Sequence, residues 1–130
     1  MNPYLYTLVY YVVSAACIVV FLYVFELVTK YKDWEEIKKG NVSVALATGG
    51  KLLGICNIFR YSIEHNDSLG ETLVWGVLGF FFLVLTYYIF EFLTRTIRVD
   101  EEIGKDNRAV GLLSAFLSIG FSYIVGASIT

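Results

Sequence analysis

Four long apolar runs decide what this chain can fold into. They are Tyr4–Phe25, Val42–Ile63, Leu69–Leu93 and Ala109–Thr130. Each is near the ~20 residues that a helix needs to cross a hydrocarbon core of about 30 Å. Inside lipid every backbone N–H and C=O must be bonded within its own segment, so runs of this kind become helices. The chain is 57% hydrophobic and 17% charged, whereas soluble domains run nearer 45–50% and about 25%. The excess sits in the four runs. They predict an all-α integral membrane fold with four transmembrane helices, in a single membrane domain over 1–130.

The start of the first run is not basic: nothing positively charged precedes Lys30. A cleaved signal peptide needs a basic start and a short apolar core, so the first run is expected to remain as a span. Asn2-Pro3 reads as a helix start, with proline in the first turn. A net charge of −2 and a pI near 5.3 offer no basic footprint for nucleic acid.

Positive charge sorts by loop. Segment 30–41 holds Lys30, Lys32, Lys38 and Lys39, and segment 94–108 holds Arg95, Arg98, Lys105 and Arg108. Basic loops stay in the cytoplasm. Both long loops are therefore expected inside and both termini outside. The 64–70 connection, "EHNDSLG", has ordinary chemistry for a tight turn, and His65 beside Asp67 reads as a solvated loop histidine. In 31–41 the residues Tyr31, Trp34 and Ile37 recur at spacing three. That stripe suits a short helix lying on the membrane surface.

The chain also repeats. Phe25-Glu26-Leu27-Val28-Thr29 matches Phe90-Glu91-Phe92-Leu93-Thr94, and Glu36-Ile37-Lys38-Lys39-Gly40-Asn41 matches Glu102-Ile103-Gly104-Lys105-Asp106-Asn107. Repeat 1 covers about 4–63 and repeat 2 about 69–130. Two parallel helix-hairpin units imply a pseudo-axis along the membrane normal, as in some transport folds. Asn41 and Asn107 each precede a span, where asparagine caps the first unpaired N–H groups. Gly40 supplies the backbone freedom to enter that cap.

At these residues a family resemblance emerges. "TKYKDWEEIKKGNVSVALATGGKLLG" resembles the first half of the DUF350 (UPF0719) family, through Thr29, Tyr31, Ile37, Gly40, Asn41, Ala45, Gly49, Gly50 and Gly54. The closing segment is similar through Asn107, Ala109, Gly111, Ser118, Ile119, Gly120 and Ala127-Ser128-Ile129-Thr130. The resemblance implies a small multi-pass protein of the bacterial cytoplasmic (inner) membrane, without an assigned reaction, in the company of envelope-stress proteins. Lys51 departs from the pattern, which has an apolar residue after the paired glycines.

Lys51 lies about ten residues into the second run, roughly 14–15 Å from its start at 1.5 Å per residue. A charge at mid-bilayer costs about 2.5–3.5 kcal/mol on insertion scales. The repeat's paired acids, Glu26 and Glu91, are the expected partners. Three readings stay open: a structural ion pair, a polar cavity or pore at an oligomer axis, and a side chain that snorkels to the interface. The glycines point to close helix packing. Ser43, Ala47, Gly50, Gly54 and Asn57 share one side of the second run, next to Gly49. Gly111, Ala115, Ser118, Ser122 and Gly126 form a stripe on the fourth, with Gly120 nearby. Small residues let helices approach and hydroxyls bond across the contact. The first and third runs are bulky and aromatic and are expected to face lipid, with Tyr4, Tyr6, Tyr10, Tyr11 and Trp75 in one aromatic belt and Tyr87 and Tyr88 in the other.

Cys17 and Cys56 lie in separate apolar runs and read as small hydrophobes. No nucleophile–base arrangement, phosphate loop or metal-ligand spacing appears, so neither catalysis, metal nor cofactor is expected. Two function classes remain. One is a homo-oligomeric assembly in the lipid bilayer, channel-like or transporter-like. The other is a non-conducting scaffold or adaptor that docks a cytoplasmic protein on loops 30–41 and 94–108.

Overall fold

The computed structural model describes residues 2–29, 32–65, 68–94, 96 and 98–129. Lys30, Tyr31, Asp67, Arg95 and Thr130, which carry parts of the sequence patterns above, lie outside the described residues. The described residues form six helices: α1 (Pro3–Val28), α2 (Asp33–Lys38), α3 (Val42–His65), α4 (Leu69–Leu93), α5 (Val99–Gly104) and α6 (Arg108–Ser128). The four long ones, α1, α3, α4 and α6, have the length and apolarity to cross a membrane. The fold is all-α and multi-pass, and its spans coincide with the apolar runs to within a few residues.

Local chemistry sets the helix starts. Asn2 Oδ1 accepts from Tyr4 N and Ser68 Oγ from Glu71 N, so α1 and α4 are capped by side chains that take first-turn donors. Asn41 Oδ1 accepts from Val44 N at 3.0 Å, and Asn107 Oδ1 accepts from Val110 N. The turn before each of these two caps is left-handed, at Gly40 (φ 87°) and Asp106 (φ 65°).

The central pair is α3 and α6, which run in the same direction and pack closely. Gly111 meets Ser43, Gly50 meets Ala115, Gly54 meets Ser118 and Gly126 meets Tyr61. A Cβ on Gly54 would stand 3.0 Å from the Ser118 carbonyl oxygen. Asn57 Nδ2 donates to Ser122 Oγ at 3.0 Å between the same helices. Gly49 and Gly120 take no part in this close packing. A Cβ on either meets nothing within 4 Å, because each stands on the side of its helix turned away from the contact.

α1 and α4 are the more exposed pair, yet each sends one aromatic stripe inward. Phe21 and Phe25 of α1 meet Phe80, Leu83 and Tyr87 of α4 and Ile55, Ile58 and Phe59 of α3. Phe21 stacks on Phe80 at 4.2 Å, and Phe25 meets Phe80 edge-on at 5.3 Å. Gly76 and Gly79 on α4 make room, since a Cβ there would press on Phe59 and Ile58. Tyr87 is buried in this core rather than in an aromatic belt; Tyr88 stays exposed.

The short helices α2 and α5 fold back onto one end of the bundle. Val99 and Ile103 of α5 pack with Val44 and Ala47 of α3 and Val110 of α6, and Ile37 of α2 joins the same cluster. Ile37 therefore faces the protein while Trp34 is exposed, so the two do not share a membrane-facing stripe. The connections are locked together: Asn41 Nδ2 donates to the Gly104 carbonyl at 2.9 Å, Ser43 N to Asp106 Oδ1 at 2.9 Å, and Ser43 Oγ to the Asn107 carbonyl at 2.7 Å.

Candidate functional site

The most unusual feature of the interior is a fully buried lysine. Lys51 has 0% of its surface exposed. It sits one turn beyond Thr48 on α3, below the end capped by α2 and α5. Its Nζ lies 5.3 Å from the centre of the Phe25 ring and 5.0 Å from that of Tyr87. An ammonium over an aromatic face is held by the ring quadrupole, more strongly when water is excluded.

Its carboxylate neighbours come mainly from the short helices. Asp33, the first residue of α2, and Asp100, in the first turn of α5, lie within electrostatic reach of Lys51, as does Glu91 near the end of α4. Both aspartates are buried. The hydroxyl of Tyr87 donates to Asp100 Oδ1, so one tyrosine touches both the cation through its ring and an acid through its hydroxyl. Glu26 acts electrostatically on Asp33. Of the two acids expected from the repeat, Glu91 is among those that act on Lys51, and Asp33 and Asp100 join it from the short helices.

A signal for them is present in the sequence. Asp33 and Ile37 stand four apart, and Asp100 and Ile103 stand three apart, so each acid shares a helix face with an inward-facing isoleucine. An acid on the apolar face of a short helix is poorly placed for water once that helix docks.

Asp33 differs from Asp100 in its bonding. Asp33 Oδ1 and Thr48 Oγ1 are both buried and neither has a hydrogen-bond partner among the described residues. The Thr48 hydroxyl stands close enough to favour the ionised carboxylate, but the pair lacks good hydrogen-bond geometry. Burial pushes the Asp33 carboxyl above its ordinary value of 3.8, and Glu26 and Asp100 push the same way. Lys51 and Thr48 act in the opposite direction without overcoming burial.

The remaining sequence-singled residues lie elsewhere. Asn41 and Asn107 stand at the starts of α3 and α6. Gly50, Gly54, Gly111, Ser118 and Ser122 lie on the α3–α6 seam. Cys17 and Cys56 are free thiols on α1 and α3. Among the described residues no group of three His, Cys, Asp or Glu could hold a metal ion.

Comparison with known proteins bears on this arrangement. The family described as Domain of Unknown Function (DUF350) matches residues 1–129. The chain belongs to the DUF350 family. It is 56% identical over 120 residues to the UPF0719 transmembrane protein YshE of Bacillus subtilis (strain 168), covering 92% of this chain and 90% of the relative. It is 25% identical over 104 residues to the UPF0719 inner membrane protein YjfL of Escherichia coli (strain K12), covering 79% of this chain and 76% of that one. No solved structure matches. This DUF350 protein is a multi-pass protein of the cytoplasmic membrane, with its ionisable cluster inside the helical bundle.

Proposed function

We propose that this protein is a membrane scaffold. It ties two short helices at the cytoplasmic surface to its spans and offers their outer faces to a cytoplasmic protein. The observation that carries this reading is the complete burial of Lys51 among Phe25, Tyr87, Asp33 and Asp100. A side chain that lined an aqueous path would meet water; this one meets rings and acidic side chains. The cluster instead fastens α2 and α5 to the bundle, and the outward residues Lys32, Trp34, Glu35, Lys38, Arg98, Glu101 and Lys105 are exposed. Cytoplasmic placement of these helices follows from the basic residues of segments 30–41 and 94–108 and the tendency of such loops to stay inside.

The second reading is a homo-oligomer that conducts an anion or a proton-linked solute. It draws on the grooves between α4 and α6, of about 190 Å³ near Leu93 and Leu117 and about 320 Å³ near Phe82 and Ser128. Another subunit could fill them.

Ion flux in proteoliposomes separates the two, with the parent protein and Lys51→Met compared at matched insertion. The scaffold reading expects no flux from either and a lower unfolding temperature for the variant. Flux that changes in size or selectivity with the substitution would put Lys51 on a conduction path and overturn it.

A further inference from the structure

The buried cluster contains more acid than base. Asp33 and Asp100 are each 3% exposed and Lys51 is fully buried; both acids act on Lys51, Asp33 the more strongly. Glu26 of α1 and Glu91 of α4 stand at its edge, half-buried and of the same sign as the aspartates. One ammonium balances one buried carboxylate. A second ionised carboxylate in the same dry space carries a large desolvation cost with no counter-charge of its own.

The bonding says which acid gives way. Asp100 accepts a hydrogen bond from Tyr87. Asp33 Oδ1 receives no hydrogen bond among the described residues, and the neighbouring Thr48 Oγ1 is equally buried and equally unpartnered. A neutral carboxyl group needs no counter-charge, and its O–H is a donor that the threonine oxygen can accept. We infer that Asp33 is a proton-binding site, and that at neutral pH the cluster holds Lys51 as ammonium, Asp100 as carboxylate and Asp33 as the neutral acid. Burial raises the Asp33 carboxyl above its ordinary value, which is the direction this assignment needs. The proton has a short route from water, because Lys32 and Trp34 on either side of Asp33 are exposed. The inference does not depend on what docks at the surface or on whether subunits associate.

Infrared spectroscopy of the full chain in nanodiscs tests it directly. The expected spectrum at neutral pH contains the carbonyl stretch of a protonated carboxyl group, shifted down in D2O. That band disappears in Asp33→Asn and persists in Glu26→Gln and Glu91→Gln. Thr48→Val keeps the band but moves it to higher frequency, because the carboxyl loses its hydrogen-bond acceptor; this variant serves even if Asp33→Asn does not fold. Absence of a protonated-carboxyl band in the parent protein would overturn the assignment. So would a band that survives Asp33→Asn, or one that Thr48→Val leaves unmoved.

Discussion

The Tyr87 ring holds Lys51 over its face, 5.0 Å from Nζ to the ring centroid, while its hydroxyl donates to Asp100. A single side chain of α4 therefore joins a cation on α3 to an acid on α5. Tyr87→Phe retains the ring and removes only the donor. A hydrogen bond to a charged acceptor contributes about 1.5–3 kcal/mol, and the variant is expected to lose stability in that range. Thermal unfolding in nanodiscs measures it. An unchanged unfolding temperature would remove the hydroxyl from the set of contacts that hold α5 in place.

Acid on α2 makes stability depend on pH in an unusual direction. The Asp33 carboxyl titrates above its ordinary 3.8 in the folded protein. Between 3.8 and its folded value the native state therefore binds more protons than the unfolded chain, and stability falls as pH rises through that folded value. The contribution is fully present below 3.8 and lost above the folded value. A series of unfolding temperatures from about pH 4 upward should show this decline, flattened in Asp33→Asn. A carboxylate stabilised by its ion pair would give the reverse slope, with stability lost on acidification.

Adjacent glycines on α3 should respond oppositely to the same substitution. A methyl group on Gly50 would press on Ala115, with its Cβ 2.8 Å from that of Ala115. Overpacking of a close helix contact costs about 1–3 kcal/mol or more, so Gly50→Ala should destabilise. Gly49 has open space at its Cβ position. Alanine there is expected to stabilise by about 0.5–1 kcal/mol, since it restricts the unfolded chain more than glycine does. Unfolding temperatures of the two variants side by side would decide. Equal losses at both positions would contradict the α3–α6 contact described above.

The sequence alone determined the membrane class, the four spans and their ends. A run of apolar residues as long as a bilayer is thick leaves the backbone one way to satisfy itself, and a cap such as Asn2 or Asn41 acts on N–H groups two or three residues away. These are short-range matters. Small-residue stripes were legible for a similar reason, because helical spacing puts Gly50, Gly54 and Asn57 on one side of α3 whatever they meet. Helical spacing alone did not say that Gly49 and Gly120 would face open space, because that depends on how the partner helix is rotated.

Tertiary structure decided the company of Lys51. Its depth within α3 follows from counting residues; its neighbours do not. Asp33 and Asp100 stand in segments whose composition is that of solvated loops, and they become interior only because α2 and α5 fold back over the end of the bundle. The inward turn of Tyr87 has the same origin: its ring completes an aromatic core with Phe25 and Phe80. Burial of a charge depends on the distance between elements far apart in the chain, and that distance is set when the helices pack.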